Sequence, residues 1–263
     1  MRTPDPKSRP RNLSLRRREI RDIFLQLGRI QYRKSIKTTL LPVLLIVLVL
    51  GVTKMQGQEV FIPDPGLNSA VRDAVEKPTG PLTVQDMLGM VKLNANQRGV
   101  RSLEGLEAAS NLVWLSLSEN SLAHFITPNT LTNLNYLDLS HNLFENFPEI
   151  GNLMSLEALY LVANQLTNGA LPLGLTRLGT LDLNNNQLRS FILPTDTTNL
   201  QSINLDINYL TNCTLPVGLN KLQELNISFN YDLTSLRLPS GLTNLQIVHL
   251  NSDYHLTDRK SVV

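Results

Sequence analysis

Between Leu112 and Asn230 the chain repeats one phrase, Leu-x-x-Leu-x-Leu-x-x-Asn. Its copies close at Asn120, Asn142, Asn164, Asn186, Asn208 and Asn230, each 22 residues after the one before. Two looser copies flank these: Leu88-x-x-Val91-x-Leu93-x-x-Asn96 lies 24 residues upstream, and Leu245-x-x-Val248-x-Leu250-x-x-Asp253 lies 23 residues downstream. So regular a recurrence restricts the chain to an architecture in which one structural unit stacks on another copy of itself.

Inside each copy the Leu-x-Leu pair alternates with polar residues, the period of a half-buried strand. One such strand cannot bury its apolar face alone. Stacked turns pair their strands into a parallel sheet over one continuous leucine core, so each turn is stabilised mainly by its neighbours. A fully buried Leu contributes about 1.5 to 3 kcal/mol, against about 1 to 2 kcal/mol of backbone ordering per residue. Several turns are therefore needed before the stack is stable. The Asn that closes each phrase sits where the chain leaves the strand, and its amide can satisfy backbone groups whose burial unpaired costs about 1 to 3 kcal/mol each. Asn96, Asn120, Asn142, Asn164, Asn186, Asn208 and Asn230 are read as such a structural ladder. The other half of each turn carries a second apolar column, Phe125, Phe147, Phe191, Cys213 and Leu236, with Gly169 as its gap. A third column, Leu171, Leu193, Leu215 and Leu238, is followed each time by Pro. Proline cannot donate to a ladder, so short extended or polyproline-like pieces are expected there, without long helices.

Over residues 60–256 this pattern resembles bacterial leucine-rich repeat proteins of the internalin-like kind. The resemblance implies an α/β repeat solenoid, a horseshoe whose concave face is a parallel sheet, with a small helical N-terminal cap and a protein or peptide as ligand. The residues of the cap fit that expectation. In Phe61-Ile-Pro-Asp-Pro-Gly, Asp64 reads as an N-cap and Pro65 as the first helical residue, with Leu67, Val71 and Val75 on one face. Lys77-Pro-Thr-Gly80 ends that helix, and Thr83-Val-Gln-Asp86 reads as a capping box opening a second one.

The flanks divide the chain further. Residues 1–37 hold 12 Lys or Arg against Asp5, Glu19 and Asp22; the totals of 24 basic and 22 acidic residues thus leave 12 and 19 in residues 38–263. The remainder is acidic, and the formal +2 comes from the leader. A basic segment facing anionic lipid is one reading, a disordered tail or an upstream false start the other. Residues 38–53 include the uncharged run from Leu40 to Val52, whose length suits a signal h-region and whose long basic approach suits an uncleaved anchor. Either way the repeats are expected outside the cytoplasm. Residues 54–60 form a linker, 61–87 the cap and 88–257 the repeats. In the tail, 258–263, no closing cap is legible, so fraying or truncation of the last turn is expected.

On such a horseshoe the x positions of x-Leu-x-Leu-x face outward on the concave side. They begin with Met90, Lys92 and Asn94 and place Trp114 beside Tyr136, with Tyr160 on the following strand. An exposed aromatic cluster is the usual anchor of a protein interface, although Trp114 packed on the cap would merely shield the first turn. Asp138, Asp182, Asn204, Asp206 and Glu224 continue the face as a polar, acidic band suited to a basic or peptide-like partner. A solvated face is the plainer alternative, and the carboxylates lack the dense spacing of calcium loops. No basic stripe exists to neutralise phosphates, which argues against nucleic acid. The four histidines lie on different turns, and no nucleophile elbow, phosphate loop or metal spacing occurs, so neither catalysis nor a cofactor is expected. His249 has no acidic partner in its own strand. The single Cys213 can form no disulfide within the chain and falls in an inward column. Three functions follow as alternatives: an exported binding module, a membrane-anchored scaffold or sensor, and a truncated paralogue without a binding role.

Overall fold

The computed structural model describes residues 57–251. The basic leader, the apolar run at 40–52 and the tail lie outside them. Among the described residues no helix is long and apolar enough to cross a membrane.

Two short helices open the fold. In α1, Pro65–Ala74, Asp64 caps the N-terminus by accepting the Leu67 amide at 2.8 Å. In α2, Val84–Gly89, Thr83 and Asp86 form a reciprocal capping box, and Lys77 reaches Asp86 at 2.7 Å. Twelve three-residue strands follow. Eight make one parallel sheet: β1 (Lys92–Asn94), β2 (Trp114–Ser116), β3 (Tyr136–Asp138), β4 (Ala158–Tyr160), β6 (Thr180–Asp182), β8 (Ser202–Asn204), β10 (Glu224–Asn226) and β12 (Ile247–His249). On the opposite side β5 (Asn168–Ala170) pairs with β7 (Ser190–Ile192), and β9 (Asn212–Thr214) with β11 (Ser235–Arg237). The extended convex pieces therefore carry their own short parallel ladders, in addition to the main sheet.

The middle residue of each main strand from β1 to β10 points inward and is fully buried, as are the phrase leucines before and after it. In the second column Phe125, Phe191, Cys213 and Leu236 are buried, while Phe147 is only partly so. At Gly169 an added methyl would sit 3.0 Å from the Phe191 ring, so the aromatic ring of the next turn occupies the space the glycine leaves.

Each closing Asn from 142 to 230 fastens its own turn to the one before it. Asn186 Nδ2 donates to the Leu161 carbonyl one turn back at 2.9 Å and to Leu183 in its own turn at 3.1 Å, while its Oδ1 accepts the Leu166 amide at 3.1 Å. Asn142, Asn164, Asn208 and Asn230 repeat this arrangement, and Asn120 does so with two amides of the first turn, Arg98 and Val100. The residue just before each of these positions is left-handed: Gln97, Glu119, His141, Ala163, Asn185, Ile207 and Phe229 have φ between 52° and 57°. This sharp reversal turns the following side chain into the stack.

The first turn departs from the sequence reading. Leu93 pairs with Leu115 and Asn94 with Ser116, so the phrase there is Met90-x-x-Leu93-x-Ala95-x-x-Arg98, two residues later than the leucine spacing suggested. Met90 is buried at 3% exposure and is not part of the open face. Asn96 is correspondingly not a ladder rung. Its Oδ1 accepts the Ser118 amide at 2.8 Å and the Ser116 hydroxyl at 2.6 Å on the open face of the sheet. Arg98 stands where the rung would be. Among the described residues no earlier turn receives a rung amide there, and the longer side chain crosses to α1, meeting Asp73 at 2.8 Å and Ser69 at 3.0 Å. Asp64 completes the junction, its second oxygen accepting the amides of Arg101 and Ser102 at 2.8 and 3.2 Å. Gly66 permits the close approach, since a methyl there would overlap the Arg98 carbonyl.

A second column of asparagines, at a fixed place in the phrase, braces the turns further. Asn111, Asn133, Asn199 and Asn244 each directly precede the first Leu of a phrase and donate to a carbonyl one turn earlier, those of Leu88, Ser110, Thr176 and Asn220.

Candidate functional site

The open face of the main sheet is organised by cross-strand register. One row runs Lys92, Trp114, Tyr136, Ala158, Thr180, Ser202, Glu224, Ile247; the next runs Asn94, Ser116, Asp138, Tyr160, Asp182, Asn204, Asn226, His249. Neighbouring members stand about 4.8 Å apart, the spacing of paired strands, so residues 22 positions apart in sequence become immediate neighbours.

Trp114 and Tyr136 stack, with ring centroids 5.0 Å apart and planes inclined by 15°. Tyr160, on the adjacent row, tilts at 40° with its centroid 5.3 Å from Tyr136. All three are half-buried, forming a ledge of ring surface that drops away at Ala158. Trp114 also lines an open groove of ≈ 880 Å³ whose far wall is α1 at Ala70, Asp73 and Ala74, with Lys92 and Asn94 between.

Two carboxylates of this face, Asp138 and Asp182, each serve the backbone with one oxygen. Asp138 Oδ1 accepts the Ser140 amide at 2.9 Å, and Asp182 Oδ1 the Asn184 amide at 3.0 Å. Asn204 accepts the Asp206 amide in the same way at 3.1 Å. These are the short side-chain turns that Asp and Asn form two residues ahead. Asp138 Oδ2 lies 3.3 Å from the Ser116 hydroxyl, whose proton has a shorter partner in Asn96. Asp206 Oδ1 is buried without a partner.

The electrostatics follow from this crowding. Burial, and secondarily Asp206 and Asp138, push the Asp182 carboxyl above the usual range against the pull of the Asn184 and Asn204 hydrogen bonds. Burial likewise raises the Tyr136 and Tyr160 phenols, helped by Asp138 for the first and by Asp182 and Asp138 for the second. Both phenols therefore remain neutral hydrogen-bond donors at physiological pH. At the end of the sheet His249 lies 3.7 Å from Glu224 of the preceding strand, a partner that inspection of its own strand could not reveal. Among the described residues no group of three or more His, Cys, Asp or Glu is placed to hold a metal ion.

Trp114, Tyr136, Tyr160, Asp138, Asp182 and Asn204 thus share one continuous patch, with Asp206 at its border. A stack of 22-residue turns, one sheet strand per turn and an asparagine ladder along the strand exits, is a leucine-rich repeat solenoid. Internalin C2 of Listeria monocytogenes is 30% identical over a match covering 72% of this chain and 93% of that one, with a TM-score of 0.59. A leucine-rich repeat protein of Leptospira interrogans is 28% identical, covering 64% of this chain and 50% of that one, with a TM-score of 0.51. The chain belongs to the internalin-like family of bacterial leucine-rich repeat proteins. No protein-family model matches the sequence, and comparison with curated proteins returned no match.

Proposed function

We propose that this chain is an exported, non-enzymatic binding module that holds a protein or peptide ligand on the open, concave face of its sheet. The observation that supports this most is the stacked ledge of Trp114, Tyr136 and Tyr160, half-exposed on a rigid sheet. Planar rings presented at low entropic cost are what interface anchors use. The core does not require them there, since the inward residues of the same strands, Leu115, Leu137 and Leu159, already fill it. The test is affinity capture with the full chain as bait, run in parallel with a Trp114→Ala/Tyr136→Ala double variant of unchanged thermal stability. A partner retained by the native face and lost by the variant supports the reading. A retained set that is the same for both overturns it.

Export is inferred from the basic leader followed by the uncharged run Leu40 to Val52. The same run supports a second reading, a membrane-anchored scaffold or sensor with the repeats outside. Intact mass and membrane fractionation after expression in a bacterial host separate the two. Loss of roughly the first 53 to 57 residues with a soluble product means a cleaved signal, and a full-length product in the membrane fraction means an anchor.

A further inference from the structure

Resting on that reading of the face, we propose that its ligand is a basic one, an extended segment bearing arginine or lysine whose cation docks on Tyr160 between Asp138 and Asp182. The register sets these three side by side: Asp138 of β3 pairs with Tyr160 of β4, and Tyr160 pairs with Asp182 of β6. Two strand spacings put the acidic residues about 10 Å apart across the sheet, with the phenol ring filling the interval. An aromatic face attracts a cation through its quadrupole, and a carboxylate beside it adds a charge-assisted hydrogen bond. Arginine satisfies both at once, because its planar guanidinium stacks on a ring while its edge donates to carboxylates.

Among the described residues no such cation is supplied by the chain itself. The ion pairs of the described residues are Lys77–Asp86, Arg98–Asp73 and His249–Glu224, none of which involves Asp138, Asp182 or Asp206. Each of the two flanking carboxylates spends one oxygen on its own backbone, which fixes its orientation; its remaining partners are neutral, the Ser116 hydroxyl at 3.3 Å from Asp138 Oδ2 and the Asn204 side chain at Asp182, and a cation outcompetes both. Asp206, one turn on, adds a further carboxylate with a buried, unpartnered oxygen. Among the described residues no cationic side chain pairs with these like charges, so a basic occupant relieves a repulsion that the fold tolerates. An acidic or purely apolar occupant would deepen it.

The experiment uses a fluorescein-labelled hexa-arginine peptide, titrated with the full chain and read by anisotropy, with hexa-glutamate as the opposite-charge control. Saturable binding of hexa-arginine is expected, weakened at least fivefold by Asp138→Asn or by Asp182→Asn and further by both. Tyr160→Ala weakens it similarly, Tyr160→Phe restores it because the ring face remains, and Asp232→Asn, an exposed acid elsewhere, leaves it unchanged. Equal affinity for hexa-glutamate, no effect of the two Asp→Asn changes, or an equal effect of Asp232→Asn overturns the proposal. The parent reading fails separately. A partner lost from the Trp114→Ala/Tyr136→Ala variant but kept by Asp138→Asn/Asp182→Asn removes the basic specificity and leaves the aromatic face standing. A partner indifferent to the aromatic variant removes both.

Discussion

Asn186 Nδ2 donates to the carbonyl of Leu161, 25 residues earlier, at 2.9 Å. That one bond fastens two successive turns at the point where both chains leave the sheet, and the same amide also closes its own turn on Leu183. Replacing Asn186 by Ala strands the Leu161 and Leu183 carbonyls and the Leu166 amide in a dry interior. With about 1 to 3 kcal/mol for each unsatisfied group, a loss of at least about 3 kcal/mol is expected in urea unfolding. Asn96→Ala, at the position outside the ladder, should cost only about 1 kcal/mol. Equal losses at the two sites would contradict the shifted register of the first turn.

Ile207 is β-branched, 47% exposed and held at φ 52°. An L-residue with a branched Cβ pays about 1 to 2 kcal/mol for that conformation, whereas Asn, which already stands at the equivalent position 185 with φ 55°, tolerates it. Ile207→Asn is expected to raise stability by about 1 kcal/mol, seen as a higher melting temperature. A decrease would mean that Ile207 makes contacts worth more than the strain it carries.

The raised Asp182 carboxyl has a signed consequence. Because the folded state holds that proton more tightly than the unfolded chain, stability falls as pH rises from the ordinary aspartate value through the raised one. Asp182→Asn should therefore melt higher than the native chain at pH 7. The difference should close at pH 3, where both chains are uncharged at that position. A variant less stable at pH 7 would show that Asp182 is already compensated.

Cys213 is 1% exposed in the inward column, and burial pushes its thiol up to about 12. Thiolate, the reactive form, is nearly absent at neutral pH. Iodoacetamide should leave the folded protein unlabelled for hours and modify it stoichiometrically in 6 M guanidinium. Rapid labelling without denaturant would place Cys213 in a segment that opens locally.

The sequence by itself determined the solenoid, its period and its parallel sheet, because Leu-x-Leu at a fixed 22-residue interval has no other way to bury its leucines. It also determined that Trp114 and Tyr136 would be neighbours, since period and strand alternation together fix both row and face. The error at the first turn has a local cause. Leu88, Val91 and Leu93 fit the apolar phrase better than Met90, Leu93 and Ala95, and only the strand pairing discriminates between them. The slip was by two residues, and an even slip keeps every side chain on its own face. The open face was therefore legible although Met90 and Asn96 were misplaced.

Tertiary structure alone decided what no single turn encodes. Arg98 bonds to α1 because the turn below it is replaced by the cap, and Glu224 meets His249 only across two strands. Ile207 and Phe229 adopt a conformation their own propensities oppose, because the ladder asparagine beside each must point inward. The row of Asp138, Tyr160 and Asp182 follows from the 22-residue period, as the Trp114–Tyr136 pair does. What the stacked backbone added is the set of hydrogen bonds that orients the two carboxylates.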